Sequence, residues 1–131
     1  MKIPKILETA LYVNDIDKAE DFYVGVLGFE KFDKTPGRDL FLRCGTGALI
    51  LFNPEKTKVD GGIVPTHGAI GAGHIAFGIA ESAFAYWKTQ LETHHIPIEK
   101  TVDWGDGIHS IYFRDPSGNS LEFISENCYT S

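Results

Sequence analysis

Residues 110–125 read SIYFRDPSGNSLEFIS, and the reading of this stretch decides the fold. Two runs of strand formers, 108–114 and 119–125, flank Asp115-Pro116-Ser117-Gly118, which is strong turn chemistry. The pattern predicts a β-hairpin. Side chains alternate across a strand, so Leu121 and Phe123 share one face and Ser120, Glu122 and Ile124 the other. A turn centred near Ser117 sets Tyr112 opposite Glu122 on that second face. A hydroxyl-bearing aromatic thus stands beside a carboxylate in an otherwise apolar strand.

The hairpin has a counterpart in the first half of the chain. RCGTGALILF at 43–52 lies on RDPSGNSLEF at 114–123 with an offset of 71, and ETALYV at 8–13 lies on HIAFGI at 74–79 with an offset of 66. The elements between these anchors repeat in the same order. Strand 6–13 ends at Asn14-Asp15, a cap signal, and Ala19, Phe22, Tyr23, Val26 and Leu27 then draw one helical face closed by Gly28. Strands 29–34, 39–44 and 47–53 follow. In the second half, strand 74–79 leads to a helix from Ser82 to Thr93 and strands 97–102, 108–114 and 119–125. Such self-similarity is a fold-level signal. It predicts an α+β domain over 1–131: module one about 5–53, linker 54–73 and module two about 74–125, each β-α-β-β-β. The linker, with its Gly and Pro residues, is expected to be flexible. The same alternation turns Phe41, Arg43, Leu49, Leu51 and Asn53 toward the polar face of module one, and Ile50 and Phe52 against its helix.

Composition narrows the function. With 131 residues, 43% hydrophobic and 23% charged, the chain is globular, long enough for a sizeable core without staples. A net charge of −6 with no basic run disfavours nucleic acid as partner. Apolar runs such as Ala48 to Phe52 are far short of a membrane span. Glu8 interrupts any leader-like apolar segment, and Cys44 and Cys128 have neither disulfide-framework nor metal-knuckle spacing. A soluble, cytoplasmic protein is expected.

Chemistry enters at the duplicated strand. Glu8 lies between Leu7 and Thr9, and carboxylates are seldom buried unless paired or metal-bound. A wet strand edge would explain it alone, but its counterpart is His74, so both copies place a metal-competent side chain at one point. His67, in the Gly-containing loop, could fold over the site as a lid residue or base. Arg43 is a candidate anion clamp. His94 and His95 end a helix and read as solvated caps, and His109 alternates with Ser110 and Tyr112, away from their face.

LYVNDIDKAEDFYVGVLGFE at 11–30, GHIAFGI at 73–79 and SIYFRDPSGNSLEFIS at 110–125 resemble the vicinal oxygen chelate superfamily, which spans glyoxalases, fosfomycin- and bleomycin-resistance proteins and extradiol dioxygenases. The resemblance covers about residues 5 to 125. It implies paired βαβββ modules whose sheets curl into a cup around a divalent metal (Mn, Ni, Zn, Mg or Fe) held by Glu8, His74 and Glu122. Glu8 stands where the family most often has His. A set of one His and two carboxylates suits Mn²⁺, Mg²⁺, Ni²⁺ or Zn²⁺ better than an iron triad. The carboxylate slot that glyoxalase I uses in the first module falls, by the offset of 71, at Leu51.

The resemblance implies a metal-dependent enzyme acting on a small oxygenated molecule as a lyase, isomerase, transferase or dioxygenase. Glu8, Glu122 and Tyr112 are the catalytic candidates; Phe41, Arg43, Leu51, Asn53, His67 and Ser110 are the substrate-contact candidates. The alternative is a metal-free drug- or metabolite-binding protein. The resemblance also implies a homodimer with the site at its interface, the modules pairing either within a chain or by exchange.

Overall fold

The computed structural model describes residues 1–130. The chain divides into two units, Met1–Gly71 and Ala72–Ser131. The first carries β1 (Glu8–Tyr12), α1 (Ile16–Glu20, running on as a π-helical turn over Asp21–Val26), β2 (Glu30–Thr35), β3 (Asp39–Cys44), β4 (Gly47–Phe52) and a short α2 (Pro54–Thr57). The second carries β5 (His74–Ile79), a 3₁₀ turn at Glu81–Ala83, α3 (Phe84–Thr93), β6 (Lys100–Gly105), β7 (Ile108–Arg114) and β8 (Ser120–Ser125). Each unit is a four-stranded mixed sheet, ordered β1-β4-β3-β2 and β5-β8-β7-β6. The first strand pairs parallel with the last, and the other pairings are antiparallel.

Local chemistry accounts for the elements. Asp15 accepts the Lys18 amide and caps α1, and Gly28, at φ 76°, ends it in the left-handed conformation. The π turn, with Leu27 N–H bonded to Phe22 O, seats the adjacent Phe22 and Tyr23 together in the core. With Leu11, Leu40, Leu42, Leu49 and Leu51 they form the buried side of the first sheet. In the second unit Ile111, Phe113, Leu121 and Phe123 are buried, and Phe123 lies 5.0 Å from Trp87 of α3, ring to ring. Residues 54–73 are not wholly irregular, because Asn53 caps Glu55 N–H and Pro54 opens α2.

The register corrects the sequence reading of module one. Gly45-Thr46 is a two-residue turn joining Cys44 to its partner Gly47, with Gly45 at φ 56°. The corresponding connection spans residues 115–119, joining Arg114 to Ser120. The offset of 71 therefore holds through β3 and β7, but becomes 72 in β4 and β8. Glu8 pairs with Ala48 as His74 pairs with Ser120. The counterpart of Glu122 is Ile50, not Leu51. A slip of one residue flips every side chain to the other face. Leu51, fully buried and paired with Leu40 and Leu11, packs on the helix side, whereas Ile50 pairs with Phe41 and shares its open face.

Candidate functional site

In the second unit His74, Tyr112, Glu122, Trp104, Ala76 and Ile124 line a cleft of about 670 Å³. His74 opens β5, and Glu122 lies two residues along β8 from its partner Ser120. The His74 Nδ1 atom is 3.0 Å from the Ser120 carbonyl oxygen. A carbonyl only accepts, so Nδ1 carries a proton, and Nε2 is the ring atom left to face the cleft, as a lone pair in the neutral ring or as N–H in the imidazolium. That Nε2 is 3.2 Å from Glu122 Oε1. An imidazolium would donate to Glu122 Oε1 at this distance, and a neutral ring would share a cation with it.

The turn before β8 holds this geometry. Asp115 Oδ1 accepts the Ser117 and Asn119 amides, and Asn119 Nδ2 donates to Asp115 Oδ2. Asn119 Oδ1 then accepts the Gly73 N–H at 2.7 Å, while Ser120 N–H donates to Gly73 O. The residue before His74 is thereby clamped on both sides. The buried Glu122 carboxylate accepts the Ser110 hydroxyl through Oε2 at 2.5 Å, and Ser110 in turn accepts the Trp104 indole N–H at 2.9 Å. Ser110 is fully buried, so its hydroxyl serves Glu122 and does not face the open cleft.

Tyr112 pairs with Glu122 across β7 and β8 and stacks on His74, with ring centroids 6.3 Å apart. Its pKa is raised, first by burial and then by its hydrogen bond to the Glu122 carboxylate. The phenol therefore keeps its proton and acts as a donor.

The first unit has a cleft of about 620 Å³ lined by Glu8, Tyr12, Arg38, Phe41, Phe52 and His67, among others. Here the sequence candidates part company. Phe41 and His67 are on the cleft; Leu51 is not, for the register reason above. His67 Nδ1 and the Tyr12 hydroxyl are 2.6 Å apart, and the imidazole lies edge-on to Phe52 at 4.7 Å. Asn53 is spent on the cap of α2 and on Gly37 O. Arg43 shares the cleft-side face but lies over Phe32, 4.5 Å from its centroid, and 3.6 Å from Glu30. The cation on the cleft is Arg38, which binds Asp39 at 2.6 Å and approaches the Phe52 ring. Arg38, Tyr12 and Trp104 escaped the sequence reading. The available signals were an Arg directly after the Pro36-Gly37 turn and a Trp opening the WGDG turn. His109 lies off the cleft, 3.1 Å from Glu81, and His94 and His95 are exposed.

His74 and Glu122 fit two neighbouring positions around a divalent ion, with Ser120 O and Ser110 as the outer partners that metal ligands commonly have. Glu8, exposed at the matching register position of the first unit, is a third donor of suitable type. Among the described residues no group of three or more His, Cys, Asp and Glu side chains is drawn together.

Known proteins were compared with this chain. The sequence model of the Glyoxalase/Bleomycin resistance protein/Dioxygenase superfamily matches residues 5–123. A lactoylglutathione lyase of Pseudomonas putida is 27% identical, over 88% of this chain and 82% of its own. The crystal structure of a lactoylglutathione lyase from Agrobacterium tumefaciens superposes with a TM-score of 0.93 at 39% identity, covering 100% of both chains. An integron cassette protein from the mobile metagenome of a Halifax Harbour sewage outfall gives 0.75 at 25% identity, covering 94% of this chain and 99% of that one. The duplicated mixed sheets, the paired first-strand positions and these matches together place the chain in the Glyoxalase/Bleomycin resistance protein/Dioxygenase superfamily.

Proposed function

We propose that the chain is a divalent-metal-dependent enzyme of the lyase or isomerase type acting on a small oxygenated molecule, with His74, Glu122 and Glu8 as ligands. The observation that carries this reading is the His74–Glu122 pair: Nδ1–H is committed to Ser120 O, and Nε2 faces a carboxylate oxygen on a cleft wall. A bound ion would supply Lewis-acid polarisation of adjacent substrate oxygens. Tyr112, whose hydroxyl is hydrogen-bonded to Glu122 in the free protein, would turn that proton to a substrate oxygen bound beside it. Glu8, exposed and free of a buried partner network, serves as ligand or accepts a proton from substrate. Phe41, Phe52 and the His67–Tyr12 pair bind the non-reacting part of the molecule and exclude water. The names of the two lyase relatives support the lyase type.

The donor count supports a homodimer, in which Glu8 of one subunit joins His74 and Glu122 of its mate. Two-fold closure then gives two equivalent sites. The second reading, a metal-free binding protein, draws on the aromatic first-unit cleft and on the absence, among the described residues, of a group of three or more such donors.

Metal analysis of protein purified without added ions, together with Mn²⁺ and Ni²⁺ calorimetry, tests both. The expected result is a stoichiometric ion in the parent chain, and none in His74→Ala at an unchanged circular dichroism spectrum. Dilution should release metal and subunits together. A parent chain that binds neither ion would establish the metal-free reading instead.

A further inference from the structure

We infer that Ser110 and Trp104 are positioning residues that hold the Glu122 carboxylate with Oε1 turned to His74; the inference rests on the site reading above and deepens it. The direction of the relay follows from donor inventory. The indole N–H can only donate, the carboxylate can only accept, and a serine hydroxyl has one proton. Trp104 Nε1–H therefore donates to Ser110 Oγ at 2.9 Å, and Ser110 spends its proton on Glu122 Oε2 at 2.5 Å. This arrangement satisfies all three groups, and the Tyr112 hydroxyl, hydrogen-bonded to Glu122 and Ser110, joins them from β7.

The relay acts on Oε2 and leaves Oε1 on the His74 side. Ser110 is fully buried and Glu122 is 6% exposed, so water does not substitute readily for the hydroxyl. Ser110 pairs with Ile124 and Tyr112 with Glu122, which places Ser110 diagonally behind the carboxylate on the strand pair. With Oε2 anchored there, Oε1 is the atom 3.2 Å from His74 Nε2. Trp104, on the neighbouring β6, is 58% exposed at the rim of the same cleft. The relay thus connects a solvent-facing indole to a buried carboxylate. Chains of hydrogen bonds polarise one another, so the indole strengthens the grip of Ser110 on Glu122.

The first unit has no equivalent. The register counterpart of Ser110 is Asp39 and that of Glu122 is Ile50, and Asp39 is turned to Thr35 N–H and Arg38. The relay belongs to the donor pair, not to the sheet architecture.

The test uses Ser110→Ala, Ser110→Thr and Trp104→Phe in the full chain, with Co²⁺ as the probe ion and with metal-free protein in parallel. In Ser110→Ala, Co²⁺ affinity should fall about 10- to 100-fold, as for removal of an outer partner of a ligand, with a changed visible absorption spectrum. Ser110→Thr keeps the hydroxyl and should restore the parent spectrum, and Trp104→Phe, at an exposed position, should give a smaller loss of the same sign. In metal-free protein, long-range ¹H–¹⁵N spectra should show the His74 ring nitrogens shifted in Ser110→Ala and restored in Ser110→Thr. Parent affinity, spectrum and His74 shifts in both Ser110→Ala and Trp104→Phe would overturn the inference while leaving the metal reading standing. A parent chain that binds no Co²⁺, but whose His74 shifts respond to Ser110→Ala, would remove the metal reading and keep the positioning role.

Discussion

The two units share one topology and one register, yet differ at the positions that could do chemistry. Glu8 and His74 occupy the same slot, as do Ile50 and Glu122, Phe41 and Tyr112, Asp39 and Ser110. In the second unit those slots hold an imidazole, a carboxylate, a phenol and the hydroxyl that anchors the carboxylate. In the first they hold a carboxylate facing two apolar side chains, with Asp39 drawn away by Arg38. One sheet presents a hydrogen-bonded His74–Glu122–Ser110 cluster, and the other a face lined by Phe41 and Phe52. The difference teaches that the helix-facing side of a duplicated module is constrained by packing, whereas the open side diverges freely. The helix-side layers, Leu11-Leu51-Leu40 and the half-buried Phe77 with Phe123 and Ile111, remain apolar in both.

The largest expected effect tests which face is which. Leu51→Ala removes a fully buried side chain on the helix side and should cost about 2–5 kcal/mol in urea denaturation. If the faces were those read from the sequence, Leu51 would border the cleft and the loss would stay below about 1 kcal/mol. The experiment therefore decides the register offset of 72 against 71.

That offset marks the limit of what the sequence made legible. The order of elements, the duplication and the faces of β7 and β8 were readable, because Asp115-Pro116-Ser117-Gly118 and the alternation in SLEFIS are strong local signals. The face of β4 was not. GALILF has apolar residues on both sides, so alternation is silent there, and the register had to be carried across from the other module through turns of unequal length. His74 on β5 and Glu122 on β8 were legible as polar side chains within apolar runs. Trp104 and Arg38 were not, since Trp104 sits at a bulge in β6 between Asp103 and Gly105, and Arg38 lies in the turn between β2 and β3. Likewise β6 was expected at 97–102 and lies at Lys100–Gly105, its end governed by the Gly105-Asp106-Gly107 turn.

A smaller effect sharpens the contrast between the two hairpin connections. Asn119 is 2% exposed and joins Asp115 to Gly73, so Asn119→Ala leaves a buried carboxylate oxygen and the Gly73 amide short of partners. A loss of about 1–3 kcal/mol is expected, the usual cost of unsatisfied buried groups. Thr46→Ala, in the short turn of the first unit, should change stability by less than about 0.5 kcal/mol. Equal losses in thermal denaturation would show that the longer turn does not hold β5 in the way its hydrogen bonds indicate.

The smallest effect concerns charge on the helix side of the first unit. Glu20 on α1 binds Lys31 at 2.5 Å and Lys34 at 2.7 Å on β2, and Lys34 also binds Asp17. The two lysine hydrogen bonds, Lys31 first, hold the Glu20 carboxyl below its ordinary value of 4.5. A carboxyl that is more acidic in the folded than in the unfolded chain contributes stability that is fully present above about pH 4.5. That contribution disappears as pH falls through the lower folded value, where both states are protonated. Exposed pairs of this kind are screened by solvent and typically contribute no more than about 1 kcal/mol. Glu20→Gln should therefore lower the melting temperature slightly at pH 7 and match the parent at the acid end, so that its stability falls less steeply between pH 5 and pH 3. A variant whose melting curve stays parallel to the parent's across that interval would show that the lysines give α1 no net electrostatic hold on β2.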